Sequence, residues 1–210
     1  MQTQILKLED TETIAEACQL LDNEQVIAAP TDTVYGLFCR FDSPIAIQRL
    51  YDAKMRPATK AIPVLISQID QLTQVISMPP PRMAHKLMAE FWPGPLTIIM
   101  SGLDTLPSIL TANQTTIAVR MPDHQELRNL LDITGPLAAT SANISDGPET
   151  HSATKVLAQL DGRIPLVLES DHELGIQSPA STIIDLSDKN QPRILRPGPV
   201  AEAVRKVLNL

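Results

Sequence analysis

Eight apolar runs of strand length, separated by short helical patterns, constrain the fold of this chain more than any other feature. The runs lie at residues 26–29, 62–66, 96–100, 117–119, 137–139, 166–168, 183–186 and 193–195. Between several of them, apolar residues recur at the spacing of one helix face, as at Met83, Leu87 and Phe91. Strands that alternate with helices are typical of α/β proteins, so we predict an α/β sheet with flanking helices.

Two helices have recognisable starts. Thr13 and Glu16 form a predicted capping pair at the start of an apolar helical stripe. Ser43 followed by Pro44 is typical of a helix cap and a first helical position, and this second pattern ends near Lys54. The first of these helices leads into the first predicted strand, in agreement with the alternation.

Length and composition indicate one globular domain. The 210 residues permit one large domain or two small ones, and we favour a single domain over residues 1–210, because no linker or repeat interrupts the chain. Apolar residues make up 43% and charged residues 20%, which excludes a disordered or fibrous chain. No run approaches the length of a membrane span and the first residues are polar, so the predicted location is cytoplasmic, without membrane contact.

Metal and nucleic-acid binding are not indicated by the overall composition. The four histidines are scattered, and Cys18 and Cys39 lie far apart without a CxxC pair, so no metal-ligand spacing is present. The net charge of −7 argues against a chain that is basic throughout and clamps nucleic acid. Segment 40–60 differs, because five basic residues against two aspartates leave it at +3, and an anionic ligand is expected there.

The first predicted strand ends abruptly in the polar segment 30–37, with the sequence PTDTVYGL. In open α/β sheets, ligands bind beyond such strand ends. The same residue types also suit an ordinary turn that caps a helix. Both interpretations stay open for this segment on its own.

Five basic residues have two interpretations each. Arg120 directly follows an apolar strand run, and a guanidinium there needs an anion, either a structural partner or the carboxylate or phosphate of a ligand. Lys54, Arg56 and Lys60 suit a solvated charged turn as well as a phosphate site. Arg196, which precedes Pro-Gly, is equally open on its own.

Other polar residues do not indicate a ligand by themselves. Ser141, Asn143 and Ser181 are of types that commonly cap helices or form turns. The chain has no GxxxxGK[ST], GxGxxG or GxSxG motif, so a nucleotide would have to be held by other side chains and loop amides. Trp92, between Phe91 and a Pro-Gly-Pro turn, is predicted to pack in the core.

Taken in order, seven strings resemble the YrdC/TsaC family of threonylcarbamoyl-AMP synthases. They are PTDTVYGL, KMRP with Lys60, FWPGPLT, IAVRMP, SANISDGP, STIID and RILRPG, and they span about residues 13–200. One such string is weakly informative, whereas seven in the family's order are specific. A divergent branch of uncertain activity lacks the SAN string, so its presence favours a true synthase. The end of the chain soon after RILRPGPV resembles the short, single-domain branch.

The resemblance implies a YrdC-like domain, in which a twisted mixed sheet with flanking helices surrounds a deep cavity. It also implies that L-threonine, bicarbonate and ATP, with Mg²⁺, give threonylcarbamoyl-AMP and pyrophosphate. This is the first step of N6-threonylcarbamoyladenosine formation in tRNA, and a threonylcarbamoyl transferase complex would use the product. The protein needs no nucleophile, because the carbamate oxygen of carboxylated threonine attacks the α-phosphorus.

The same resemblance assigns residues to each part of the site. The catalytic residues would be Lys54, Arg56, Ser141 and Asn143. ATP would contact Arg56, Lys60, Thr116, Ser141, Ala142, Asn143, Thr150 and Arg196. Threonine would contact Thr33, Leu65, Arg120, Thr140 and Ser181, with the guanidinium forking the threonine carboxylate. Asp32 and Tyr35 are expected to shape their loop.

Two other functions stay open at this point. The same fold could bind structured RNA without synthase activity, although the charge of −7 counts against this, and weak tRNA binding is the most we expect. A related domain takes part in carbamoyl transfer during hydrogenase maturation. There it is attached to acylphosphatase and zinc-binding modules, and nothing comparable is expected in these 210 residues.

Overall fold

A computed structural model describes residues 2–55, 57, 59–171, 179–188 and 191–209. The strands are β1 (Gln4–Lys7), β2 (Ile27–Ala29), β3 (Gly36–Arg40), β4 (Val64–Leu65), β5 (Leu96–Ser101), β6 (Thr116–Arg120), β7 (Leu137–Ser141), β8 (Leu166–Glu169), β9 (Thr182–Asp185) and β10 (Arg193–Arg196). The α-helices are α1 (Thr11–Asp22), α2 (Pro44–Lys54), α3 (Arg82–Phe91), α4 (Ser108–Thr111), α5 (Gln125–Thr134), α6 (Ala153–Leu160) and α7 (Ala201–Leu208). A 3-10 helix covers Ile69–Gln74. None of the described helices is both long and apolar enough to cross a membrane.

These ten strands form one mixed sheet in the order β1-β8-β2-β3-β7-β4-β6-β5-β9-β10. In its middle, β7 runs antiparallel to β3 and to β4, and β4 is parallel to β6. Next to them, β5 is antiparallel to β6 and parallel to β9. Helices pack on both faces of this sheet, which confirms the predicted α/β class.

One face of the sheet, which we call the back face, is covered by helices over most of its width. It carries Leu37, Val64, Val119 and Ile184, each 0% exposed. The helices α2, α3, α6 and α7 place their apolar side chains in the same core, as Ile47 does from α2. The removal of this apolar surface from water is the main driving force for folding.

The opposite face, the front face, is covered over only part of its width. Over β3, β7 and β8 it packs against α1 and α5, and Leu21 and Leu130 of these helices join Phe38, Leu137 and Leu166 in a second core. Along β6 and β9, buried residues alternate with partly exposed ones. Such alternation is expected for strands that have one open face, so a ligand can approach the sheet here.

All eight predicted strands are present, although β4 is limited to two residues. Neither β1 nor β3 is predicted from the sequence. The edge strand β1 has the sequence QILK, with only two apolar residues between two exposed polar ones. It therefore lacks the apolar run on which the prediction depends. The central strand β3 begins at Gly36, inside the PTDTVYGL segment, so its apolar residues directly follow residues that form a loop.

The two predicted helix starts have different outcomes. Ser43 is confirmed as a cap, because its Oγ accepts a hydrogen bond from the amide of Ala46 at 3.1 Å. The capping pair of Thr13 and Glu16 is wrong, because α1 already begins at Thr11. Thr13 is 5% exposed and lies on the buried face of the helix, four residues before the buried Ala17, where it cannot act as a cap.

We expect Ser43→Ala to lower the free energy of unfolding by about 1 kcal/mol, because the amide of Ala46 loses its acceptor. Asp10→Ala is the matched control, since Asp10 precedes α1 without a side-chain cap bond, and it should change stability by less than about 0.5 kcal/mol. Urea denaturation followed by circular dichroism measures both. Equal losses in the two variants would contradict the cap at Ser43.

Candidate functional site

A cavity of about 280 Å³ opens on the front face. Phe38, Leu65 and Ala139 line the cavity and also belong to the core under α1 and α5. The cavity therefore begins where these two helices stop covering the sheet. Ligand sites typically measure about 300–1,000 Å³, and this cavity is close to the lower limit. The described lining residues are Thr31, Thr33, Val34, Tyr35, Gly36, Phe38, Ala61, Pro63, Leu65, Thr97, Arg120, Ala139, Thr140, Ser141, Glu149, Ala180, Ser181, Ile183 and Arg196.

Arg120 joins three segments at the cavity. It is the last residue of β6 and is 6% exposed. Its Nε donates to the carbonyl oxygen of Gly94 at 3.0 Å, and its Nη1 donates to Oγ1 of Thr33 at 3.0 Å. Its Nη2 donates to Oδ1 of Asp32 at 2.5 Å. The strand end, the Pro-Gly-Pro turn and the 30–37 segment therefore meet at one guanidinium.

Asp32 is the anion that this buried guanidinium requires. The two side chains form an ion pair, in which Arg120 is 7% exposed and Asp32 is 13% exposed. A guanidinium has five N–H groups, so the three bonds to described residues leave two, one on each terminal nitrogen. Arg120 is thus a structural partner that still has two donors for an anionic ligand.

Thr31 organises the segment between β2 and β3. Its Oγ1 accepts hydrogen bonds from the amides of Thr33 at 3.0 Å and Val34 at 3.3 Å, and lies 3.0 Å from Oγ1 of Thr33. The same hydroxyl donates its proton to the carbonyl oxygen of Val34 at 2.8 Å, so Thr33 is the donor in the contact between the two hydroxyls. Since Thr33 also accepts from Arg120, its hydroxyl links the guanidinium to this turn.

Tyr35 ties the same segment to the loop after β7. Its amide donates to the carbonyl oxygen of Thr150 at 2.9 Å, and its carbonyl oxygen accepts from the amide of Ala142 at 2.7 Å. Burial raises the pKa of Tyr35 to about 12, and the nearby Glu169 carboxylate adds to this rise. The phenol stays protonated at neutral pH and does not act as a base, in agreement with a role in shaping the loop.

The opposite wall of the cavity contains Ser181 and Arg196. Arg196 donates from Nε to the carbonyl oxygen of Ser181 at 2.9 Å and from Nη2 to its Oγ at 3.1 Å. Burial lowers the pKa of Arg196, Glu149 opposes this change, and the charge of Arg120 adds to it. The two guanidiniums therefore repel each other, and an anion between them would relieve the repulsion.

Gly198 allows the turn after β10 to approach the start of β9 closely. A Cβ at this position would lie 2.5 Å from the amide nitrogen of Thr182 and 2.7 Å from the carbonyl oxygen of Ala180. No other residue type fits there without a shift of backbone. The close approach keeps Arg196 beside Ser181.

Lys54 holds the SAN loop, residues 141–143, through its backbone. The side chain lies at the end of α2 and the residue is 1% exposed. Its Nζ donates to the carbonyl oxygens of Ser141 and Asn143, the latter at 2.6 Å, and lies 3.2 Å from Oδ1 of Asn143. Asn143 Nδ2 in turn donates to the carbonyl oxygens of Ile144 and Gly147. These two side chains fix the shape of the loop.

The described basic residues of segment 40–60 do not converge on one anion site. Arg40 pairs with an aspartate two residues away, and Arg49 donates to two backbone carbonyls. Lys60 forms an exposed ion pair with Asp146 at 3.4 Å. The local charge balance therefore does not locate the cavity, whose two guanidiniums come from β6 and β10.

All five residues that the resemblance assigns to threonine line this cavity. They are Thr33, Leu65, Arg120, Thr140 and Ser181, and they come from five separate segments. Thr140 pairs with Leu37, and paired residues point to the same face, so the side chain of Thr140 lies on the back face. Thr140 therefore lines the cavity with its peptide group. That these residues bind threonine stays a prediction.

The residues assigned to ATP are more scattered. Ser141 and Arg196 line the cavity. Thr116 lies outside it, on the open part of the front face, where it is partly exposed. Lys60 is at the surface, and Arg56, which is also a predicted catalytic residue, lies outside the described residues.

Three further residues assigned to ATP are buried next to the cavity. Ala142, Asn143 and Thr150 are 0%, 5% and 0% exposed, respectively. The hydroxyl of Thr150 donates to the carbonyl oxygen of Ala142 at 2.9 Å. In the described structure these residues support the SAN loop, and their contact with ATP stays a prediction.

Sequence reasoning did not select three polar or aromatic residues that line the cavity. Thr97 is 3% exposed, and its Oγ1 lies 2.8 Å from Oγ of Ser181. A signal for it was present, since Thr97 is a polar residue in the otherwise apolar start of β5. Glu149 and Phe38 had no such signal, because a loop carboxylate and a core phenylalanine resemble many others.

The sheet and the cavity define the chain as a single α/β domain with a cavity on an open sheet face. Within that class it belongs to the Sua5/YciO/YrdC family, whose sequence model, described as "Telomere recombination", matches residues 19–198. The predicted family and the predicted YrdC-like fold are therefore confirmed. The boundaries of the domain at residues 1–210 stay a prediction.

Relatives with known names support the same family. The threonylcarbamoyl-AMP synthase of Bacillus subtilis (strain 168) is 38% identical over 192 residues, which cover 90% of this chain and 54% of the relative. That of Enterobacter sp. (strain 638) is 37% identical over 158 residues, which cover 74% of this chain and 83% of the relative. The chain thus spans about half the length of the first relative and most of the second.

A solved structure of P. abyssi Sua5 complexed with L-threonine has the same fold. The TM-score is 0.90 at 34% sequence identity, and the match covers 98% of this chain and 61% of that chain. The similarity therefore extends over the whole sheet, including the strands that line the cavity.

We expect Asp32→Asn to lower the free energy of unfolding by about 3 kcal/mol, because it leaves the Arg120 guanidinium buried without a charge partner. Asp146→Asn, which breaks the exposed pair with Lys60, is the control and should cost less than about 0.5 kcal/mol. Urea denaturation at neutral pH measures both. A loss for Asp32→Asn as small as that of the control would contradict a buried ion pair.

Proposed function

We propose that this chain is a threonylcarbamoyl-AMP synthase, a nucleotidyltransferase that converts L-threonine, bicarbonate and ATP into threonylcarbamoyl-AMP and pyrophosphate. The observation that carries the proposal is the cavity, which is lined by residues of six of the seven strings and contains a buried guanidinium with two remaining donors. The names of the Bacillus and Enterobacter relatives support the same activity. They favour it over a module that only binds structured RNA.

The threonine carboxylate would bind at Arg120. The two remaining N–H groups of the guanidinium match the two oxygens of a carboxylate. The apolar side chains of Phe38, Pro63 and Leu65 line the same cavity and would contact the threonine methyl group. The complex of P. abyssi Sua5 with L-threonine supports this ligand for the cavity.

The chemistry would depend on positioning. The threonine nitrogen attacks the carbon of bicarbonate and gives a carbamate with loss of water. A carbamate oxygen then attacks the α-phosphorus of ATP, the bond from that phosphorus to the bridging oxygen breaks, and pyrophosphate leaves. Both reactants are anions, so the protein contributes by holding them together and by neutralising charge, as Arg120 and Arg196 would do.

ATP would extend from the cavity along the open part of the front face. Ser141 and Arg196 would contact it at the cavity, with Lys60 and Arg56 as the further expected phosphate contacts. Ala118 lies between Thr116 and the cavity and is partly exposed, so it gives the purine base an apolar surface. Lys54 would act indirectly by holding the SAN loop.

Mg²⁺ would arrive with ATP, since this ion is usually held by substrate phosphates, waters and one or two carboxylates. Glu149 is the carboxylate among the described lining residues, and it lies near Arg196. The product would pass to a threonylcarbamoyl transferase complex that modifies tRNA, so the chain would work in the cytoplasm beside that complex. Direct tRNA contact would be weak, given the net charge of −7.

We expect pyrophosphate release to require ATP, L-threonine and bicarbonate together, because the attacking group is formed from threonine and bicarbonate. A coupled pyrophosphate assay with each component omitted in turn measures this. Mass spectrometry of the mixture should show threonylcarbamoyl-AMP. Release that is indifferent to threonine would overturn the proposed function.

We expect Arg120→Lys to raise the KM for threonine about tenfold and to leave the KM for ATP within about twofold. Lysine keeps a positive charge beside Asp32 but cannot fork a carboxylate. Arg49→Lys, a surface substitution outside the cavity, is the matched control and should leave both constants unchanged. Equal losses for threonine and ATP would mean that Arg120 is structural or directed at phosphate.

A further inference from the structure

The hydroxyl of Thr97 contacts a single described polar group, and that group belongs to the cavity wall. Thr97 is 3% exposed, Ser181 is 4% exposed, and their hydroxyl oxygens are 2.8 Å apart. Thr97 comes from β5 and Ser181 directly precedes β9, which pairs in parallel with β5. The two hydroxyls therefore form a bridge between neighbouring strands at the edge of the cavity.

The hydroxyl protons of Thr97 and Ser181 each need an acceptor. Ser181 Oγ accepts a hydrogen bond from Arg196, because a guanidinium only donates. If Thr97 also donates to Ser181, both lone pairs of Ser181 are used, and its own proton must go to a third group. No other described acceptor for that proton is recorded at Ser181, so it is left for a ligand in the cavity.

The remaining proton would lie beside Arg120. In the antiparallel pair of β5 and β6, Ile98 lies opposite Val119. The next pair in this register is Thr97 opposite Arg120. Side chains opposite each other in a sheet lie on the same face. An anion bound at Arg120 is therefore within the region that a Ser181 donor can reach, and an anion is the strongest acceptor for it.

We propose that Thr97 is a positioning residue, which donates its proton to Ser181 and so directs the Ser181 hydroxyl toward the carboxylate of the amino-acid substrate. This inference rests on the proposed function for the identity of that substrate. Arg196 and Thr97 together occupy the acceptor positions of Ser181. Hydrogen bonds that are linked in this way polarise one another, so the Ser181 proton becomes a better donor.

Thr97→Val and Thr97→Ser separate this role from packing. Valine keeps the shape of threonine but has no hydroxyl, whereas serine keeps the hydroxyl and loses the methyl group. We expect Thr97→Val to weaken L-threonine binding about fivefold and Thr97→Ser to stay within about twofold of the unchanged protein. Calorimetry with L-threonine, in the presence of a non-hydrolysable ATP analogue, measures the dissociation constant without turnover.

A double-mutant cycle with Ser181→Ala tests whether Thr97 acts through Ser181. In the Ser181→Ala background, Thr97→Val should have no further effect on the threonine dissociation constant. The same fivefold loss in both backgrounds would overturn the proposal, because Thr97 would then contact the substrate itself or act by packing. An effect of Thr97→Val smaller than about twofold would overturn it as well.

Thr111→Val is the control for the removal of a buried threonine hydroxyl. Thr111 is 5% exposed in α4, its hydroxyl donates only to a carbonyl of the same helix, and it does not line the cavity. Thr111→Val should leave threonine binding unchanged.

The proposed function is tested separately by pyrophosphate release. A protein that binds threonine but releases no pyrophosphate would refute the synthase, and the role of Thr97 in binding could still be tested. Absence of threonine binding would refute both.

Discussion

The ion pair of Arg120 and Asp32 is the interaction on which the arrangement of the site depends. A guanidinium at the end of a buried strand is costly without an anion, and Asp32 provides that anion from a segment four strands away. The 30–37 segment must therefore extend across the front face to reach it. As a result Thr33 reaches the same guanidinium, and the cavity forms beside a charge that already has one partner.

Hydroxyls next to the guanidiniums give the cavity its chemical character. Thr33 accepts from Arg120 and donates to Thr31, while Ser181 accepts from Arg196 and, where Thr97 donates to it as well, keeps its own proton for a ligand. The polar part of the described wall thus has donors from two guanidiniums and from Ser181, and it favours a ligand that is rich in acceptor oxygens. Carboxylates, carbamates and phosphates have this property, whereas a neutral apolar ligand would leave these donors unpaired.

Much of the fold was predictable because its strands and helices have clear apolar periods. Other features depend on distant contacts. The first residues of β3 lie in a segment whose composition is that of a loop, and only pairing with β2 and β7 makes them a strand. Lys54 is a basic residue in a charged segment, yet it is buried against backbone carbonyls, because α2 ends under the SAN loop.

The site was predictable where a polar residue of a family string lies at the end of a strand, as Arg120 does in β6, or directly before one, as Ser181 does before β9. It was not predictable where the role of a residue comes from its neighbour. Thr97 and Ser181 are 84 positions apart, and only the parallel pairing of β5 with β9 brings their hydroxyls together. Glu149 lies between the SANISDGP string and Thr150, yet nothing in the sequence indicates that this carboxylate itself lines the cavity.

The alternation of buried and partly exposed residues along β6 and β9 has a consequence for how such a domain can diverge. Residues of the back face in these strands are buried in the core, while the intervening residues of the same strands face the open part of the sheet. A substitution at Ala118 or Ile183 can therefore alter what the sheet accepts with little effect on whether it folds. Selection for chemistry and selection for stability then act on alternate positions of one strand.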